Sequence, residues 1–260
     1  MSEPILDVSG LTLRFGAITA FQDITFSVAD NEVFAIIGPN GAGKTSLFNV
    51  LSRVYRPQAG TARYLGRDLL SLRPAQIAGA GIARTFQNLG LFGLLTVLEN
   101  VLIGRHHLMR SGSIIGGVYL GYAQREEKVH RAAAMETLQF AGIEKYASTP
   151  VGLLPYGIRK LVELARALAM QPRLLLLDEP VAGMTEAERW QVTALIRRMH
   201  TERNLSIVLV EHDMGFVMNL AQRVLVLDFG RRIALATPGE VQRNQAVISA
   251  YLGEPLDDTA

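Results

Sequence analysis

Val33-Phe34-Ala35-Ile36-Ile37 runs directly into Gly38-Pro39-Asn40-Gly41-Ala42-Gly43-Lys44-Thr45-Ser46, and this junction decides the fold. The first run is apolar throughout, the pattern of a strand buried on both faces. The stretch from Gly38 to Thr45 fits G-x-x-x-x-G-K-[ST], and a helical pattern begins near Lys44. Strand, glycine turn and helix in that order separate a phosphate-binding P-loop from a glycine turn with a chance lysine. The glycines let backbone N–H groups converge on phosphate oxygens, and the helix N-terminus adds the positive end of its dipole. In that arrangement Lys44 reaches the β- and γ-phosphates, and Thr45 sets its hydroxyl on Mg2+.

Outward from this junction the chain repeats the theme. Leu174–Leu177, Ile207–Val210 and Val224–Leu227 are further short apolar runs. Between them, Leu161, Leu164, Ala165 and Leu168 recur at helical spacing, as do Val192, Leu195, Ile196 and Met199. Buried strands alternating with amphipathic helices imply an α/β fold with a largely parallel sheet. The earlier stretches Ile5–Phe15 and Ile18–Val28 carry β-branched and aromatic residues in loose alternation and read as a separate antiparallel layer. From Leu89 to Leu164 there are helical patterns and no convincing buried strand. The expected organisation is one domain over 1–256, with a core of 1–88 and 165–256 and a helical subdomain of 89–164 inserted into it.

Composition narrows the function. The chain has 260 residues with a net charge of +2 and no cysteine, so disulfides, thiolate metal sites and cysteine nucleophiles are excluded. Basic residues occur as scattered pairs such as Arg197-Arg198 and Arg231-Arg232, not as the dense patch of a nucleic-acid binder. The start lacks the basic and apolar regions of a secretory signal. No apolar run approaches the ~18 residues needed to span a bilayer. A cytoplasmic chain is expected, and the high mean hydropathy of +0.20 suggests a large apolar contact surface.

Leu174-Leu175-Leu176-Leu177-Asp178-Glu179-Pro180 ends an apolar strand in two carboxylates. Asp178 suits the coordination sphere of Mg2+, and Glu179 is placed to polarise an attacking water. Glu211-His212-Asp213 repeats the logic after Ile207–Val210, with His212 a candidate contact to a γ-phosphate. His106-His107 has no further ligands nearby in sequence and reads as solvated surface.

The ordered set resembles the ATP-binding subunits of ABC transporters over essentially the whole chain. It comprises the P-loop, Arg84-Thr85-Phe86-Gln87, Leu154-Pro155-Tyr156-Gly157-Ile158, the Leu-Leu-Asp-Glu-Pro string and Glu211-His212. More narrowly it resembles the importers of branched-chain (hydrophobic) amino acids, through Arg84–Phe92, Leu154–Gly157 and Val247–Glu254. The resemblance implies a P-loop NTPase (RecA-like) core that uses ATP and Mg2+. It makes Gln87 a glutamine sensing both Mg2+ and the transport partner, Glu179 the general base and His212 a switch histidine. Phe15 becomes the aromatic that stacks on adenine, with ordinary strand packing as the alternative. Pro155, Tyr156 and Gly157 would close on ATP held by an opposite subunit, and Leu89–Gly104 would face the membrane subunit's coupling helix.

Two departures stand out against the family pattern. Its signature is usually Leu-Ser-Gly-Gly-Gln, whereas here Pro155 stands at the Ser position, Tyr156 at the first Gly and Ile158 at the Gln. Proline brings neither a hydroxyl nor a backbone N–H. Thr185 also replaces the usual Asp or Asn in Ala182-Gly183-Met184-Thr185. The resemblance therefore implies a peripheral ATPase at the cytoplasmic face of the inner membrane. It would pair with a second ATPase subunit (a heterodimer, or a homodimer) and with permease subunits, and a substrate-binding protein would act indirectly. The alternatives are an ABC-type ATPase without a permease, an importer ATPase for another small solute, and a module that binds ATP without turnover.

Overall fold

The computed structural model describes residues 3–85, 89–109 and 122–252. The chain opens with β1 (Leu6–Phe15) and β2 (Ile18–Val28), then β3 (Val33–Ile37) and α1 (Lys44–Leu51). Next come β4 (Ala59–Tyr64), β5 (Arg67–Asp68) and β6 (Ile82–Arg84). Three helices follow, α2 (Val97–Gly104), α3 (Tyr122–Ala141) and α4 (Tyr156–Ala169). The rest alternates β7 (Leu174–Asp178), α5 (Glu186–Arg203), β8 (Ser206–Val210), α6 (Met214–Leu220) and β9 (Arg223–Asp228). It closes with β10 (Arg231–Ala236), α7 (Pro238–Val241) and α8 (Gln245–Leu252).

Two sheets result. One is antiparallel, in the order β2-β1-β4-β5, and the other runs β10-β9-β3-β8-β7-β6. In the larger sheet β9, β3, β8, β7 and β6 are parallel, and β10 joins β9 antiparallel at the edge. The parallel strands are buried on both faces, so alternate side chains enter different cores. Phe34, Ile36, Leu174, Leu176, Val208 and Val210 pack with β1, β2, β4 and α1. Ala35, Ile37, Leu175, Leu177, Ile207 and Leu209 pack with α2, α3, α4, α5 and α6. The period of two along each strand is thus the reason for a layered molecule with α1 between the sheets.

Helices α2, α3 and α4 pack on apolar faces. Val97 and Val101 of α2, Ala134 and Leu138 of α3, and Leu161, Leu164 and Ala165 of α4 share one core. Helices α2 and α4 meet backbone to backbone, since a Cβ at Gly104 would lie 2.3 Å from the Arg166 carbonyl oxygen. Helix α4 runs without interruption through position 164, so the expected boundary at 164/165 falls inside an element. Among the described residues no helix is long and apolar enough to cross a membrane.

Candidate nucleotide site

Strand order brings the chemistry together. Val210 at the end of β8 pairs with Ile36 of β3 on one side and with Asp178 of β7 on the other. The loops that leave these strands therefore emerge at the same carboxyl edge of the sheet, where α/β folds place their ligands. They carry Gly38–Ser46, Glu179 and Glu211–His212.

The P-loop is shaped by glycines that no other residue replaces. Gly38 has φ 149°, and a Cβ there would meet the Leu227 carbonyl oxygen at 2.0 Å. Gly43, at φ 95°, would meet the Ala20 carbonyl oxygen at 2.5 Å. Lys44 is buried at the start of α1 and donates from Nζ to the carbonyls of Gly38 (2.6 Å) and Pro39 (2.8 Å). Burial pushes its ammonium below the usual lysine range, against the opposing pull of the Glu179 carboxylate. A cleft of about 380 Å3 opens between the P-loop and β2, with Asn40, Gly41, Thr45 and Ser46 on one wall and Glu179 at its end. Phe15 stands at its mouth, 45 % exposed, with the ring edge-on to Tyr55 at 5.1 Å.

Behind Glu179, at the end of β7, Asp178 is 2 % exposed and its Oδ2 accepts from Arg84 Nη2 at 2.8 Å. Arg84 Nη1 also donates to Asn49 (2.7 Å) and Ser52 (2.6 Å), tying β6 and β7 to α1. Sequence reasoning quoted Arg84 within a longer string and assigned it nothing. The pairing is between residues far apart in sequence, so no local signal marks it. Glu179 has φ 47°, a left-handed conformation that costs a side-chain-bearing residue about 1–3 kcal/mol. Its N–H is held by the Val210 carbonyl at 2.9 Å. His212 Nδ1 lies 4.0 Å from Glu179 Oε1 and 3.7 Å from Glu211 Oε2, with its ring 58 % exposed.

The turn Pro155-Tyr156-Gly157 opens α4 elsewhere. Tyr156 Oη donates to the Ala182 carbonyl (3.4 Å), and the Gly157 N–H donates to Glu188 Oε1 (3.2 Å). Its bonds thus run to the loop after β7 and the start of α5, not to this chain's P-loop. Thr185 caps α5, accepting from the Glu188 N–H while Glu188 accepts the Thr185 N–H and hydroxyl. Gln87 lies outside the described residues. Among the described residues no cluster of three or more His, Cys, Asp or Glu side chains is placed to hold a metal. His106 and His107 are exposed, and His107 Nδ1 sits 3.2 Å from the Gly104 carbonyl.

With this geometry in view, the profile described as ABC transporter matches residues 21–182. High-affinity branched-chain amino acid transport ATP-binding protein BraF of Pseudomonas aeruginosa is 38 % identical over 98 % of this chain and all of its own length. The chain belongs to the ABC transporter ATP-binding family. LivG of Escherichia coli, with the same printed function, is 37 % identical over 98 % of the chain and all of its own. A second profile, branched-chain amino acid ATP-binding cassette transporter, covers residues 231–257. The fold matches that of an ABC transporter ATP-binding cassette solved in its ADP conformation, with TM-score 0.85, 28 % identity and coverage of 97 % of this chain and 100 % of that one. The expected α/β P-loop core with an antiparallel layer is therefore the fold of this ABC ATPase, which binds ATP and hydrolyses it to drive transport.

Proposed function

We propose that this cassette is the ATP-hydrolysing subunit of an importer of branched-chain or other hydrophobic amino acids. The convergence of Lys44, Asp178, Glu179 and His212 on one sheet edge carries the catalytic half of that reading. The C-terminal match over 231–257, which includes the Val247–Glu254 string, supports the cargo. Phosphates would lie over the N–H groups of Gly41–Ser46, with Lys44 exchanging the Gly38 and Pro39 carbonyls for phosphate oxygens and Phe15 stacking on the base. Thr45 and Asp178 fit Mg2+, which uses few protein ligands and keeps water and phosphate oxygens. When bound, that ion supplies charge neutralisation on the β- and γ-phosphates. Glu179 takes a proton from water as the water oxygen bonds to the γ-phosphorus. The bond to the β–γ bridging oxygen breaks, and its electron pair leaves on ADP. His212 donates toward the γ-phosphate oxygens. Turnover should fall about 10²–10⁴-fold in Glu179→Gln with ATP binding retained. A variant within a few-fold of the parent removes Glu179 from the mechanism.

In the head-to-tail dimer of this reading, Pro155, Tyr156 and Gly157 close the partner's site. Pro155 offers neither hydroxyl nor N–H, so the natural partner is a second, related ATPase with a complete signature. The site on this chain's Lys44 is then the faster one. One missing hydrogen bond to a phosphate is worth about 1.5–3 kcal/mol, or tenfold and more in rate. Lys44→Ala should therefore lower ATPase activity of the assembled transporter more than the equivalent change in the partner. Equal losses overturn the asymmetry. The permease would dock where Phe92 and Leu94 project, beside a groove of about 510 Å3 lined by Ile77, Gly90, Ile103 and His106. In this reading the chain would sit peripherally at the cytoplasmic face of the membrane.

A further inference from the structure

Glu211 directly follows β8, is fully buried, and lies outside every role assigned above. Its Oε1 accepts the Val181 N–H at 3.1 Å. Its Oε2 accepts the His212 N–H at 3.0 Å and the Asp213 N–H at 3.4 Å. Val181 lies two positions after Glu179, and His212 immediately follows Glu211. One carboxylate thus spans the two loops that carry Glu179 and His212. Both loops are otherwise tied at their far ends, because Arg189 Nη1 pairs with Asp213 Oδ2 at 2.5 Å while its Nε donates to the Met184 carbonyl at 3.2 Å. Asp213 Oδ1 in turn caps α6 through the Phe216 N–H.

Burying an ionised group away from water is costly, and burial pushes this carboxyl above the ordinary glutamate range. Simple packing at the end of β8 needs no charge. Serving N–H donors on two separate loops does require two acceptor oxygens at the reach of a glutamate. An amide has one acceptor oxygen and turns its NH2 against the remaining donors. Aspartate keeps both oxygens but is one methylene shorter. It is able to accept the N–H groups just after itself, as in an Asx turn, without reaching Val181.

We propose that Glu211 is a positioning residue for hydrolysis, whose carboxylate fixes Glu179 and His212 at one spacing by bonding Val181 on one loop and His212 and Asp213 on the other. The inference rests on the reading above, in which Glu179 and His212 act on the γ-phosphate. Misplacing either by a fraction of an ångström disturbs the alignment on which phosphoryl transfer depends.

The test is to compare Glu211→Asp, Glu211→Gln, Glu179→Gln and the parent in the assembled transporter, reading kcat, KM for ATP, equilibrium ATP binding and thermal stability. Glu211→Asp isolates the link between loops, and Glu211→Gln provides a second variant should the first fail to fold. Both should bind ATP within about threefold of the parent while kcat falls about ten- to a hundredfold. Adding Glu211→Asp to a His212→Ala background should lower kcat far less than it does in the parent, because the two residues act as one unit. Parent-like kcat in Glu211→Asp overturns the proposal, as does a fall in ATP affinity and kcat in proportion to lost folded protein. Turnover that survives Glu179→Gln instead overturns the reading of the site. Turnover that falls in Glu179→Gln but survives in Glu211→Asp overturns the positioning role alone.

Discussion

A methyl group at position 38 would sit 2.0 Å from the Leu227 carbonyl oxygen, well inside any tolerable contact. Gly38→Ala must therefore push the P-loop away from the end of β9. We expect it to lose ATP binding and about 2–4 kcal/mol of stability, and parent-like urea denaturation would contradict the contact. Glu211 offers a subtler case. Burial raises its carboxyl above the ordinary 4.5, opposed by the N–H groups of Val181, His212 and Asp213 and by the neighbouring His212 ring. The native state then holds this proton more tightly than the unfolded chain. Its contribution to stability is fully present below the unfolded-state value and is lost as pH rises through the raised native value. Glu211→Gln abolishes that titration. The difference in unfolding free energy, parent minus variant, should become more negative as pH rises above the ordinary glutamate range. A pH-independent difference would argue that the carboxyl is not penalised by burial.

Three elements begin with the same device. Thr96 with Glu99, Thr185 with Glu188 and Thr237 with Glu240 cap α2, α5 and α7 reciprocally. The bonds from each threonine hold the three carboxyls below the usual glutamate range, so this support is present above the ordinary value and lost as acid protonates them. Thr185→Ala should cost about 1 kcal/mol in urea denaturation, whereas Thr185→Asn should keep most of it. Equal losses in both would show that the side-chain cap contributes nothing. This also explains a departure at Thr185 that the family pattern makes odd, since a hydroxyl caps as an Asp or Asn does. Legibility follows the same physics. Strands β3, β7, β8 and β9 are buried on both faces and therefore read as apolar runs. Strand β6 has only Ile82–Arg84, and β10 is a partly exposed edge beginning with Arg231-Arg232. Their partners, not their own composition, make them strands. Contacts between distant positions, Arg84 with Asp178 and Gly157 with Glu188, had no local signature at all.

At the scale of the molecule, several large apolar side chains stand exposed on the loop before α2 and the turn before α4. Within Leu89–Gly104, the stretch expected to face a coupling helix, Leu94 is 96 % exposed and Phe92 projects outward, as does Leu153 nearby in the fold, whereas Leu95 is half-buried. The two loops are tied where the Gly152 N–H donates to the Gly93 carbonyl at 2.9 Å. Leu94→Asp should leave ATP binding unchanged and reduce recovery of the permease in a detergent pull-down by about tenfold, at 1.4 kcal/mol per decade. Full recovery would move the docking surface elsewhere. Strand order carries a consequence of another kind. Among the described residues strand β3 pairs with β8 and β9 alone, and Val33 meets Ile207 across about 170 residues of chain. A ribosome adding about 5–20 residues per second leaves β3 without neighbours for roughly 10–40 s. Through that interval its five apolar residues and the P-loop behind them are exposed on a growing polypeptide, a window for chaperone capture that ends only when β8 and β9 clear the exit tunnel.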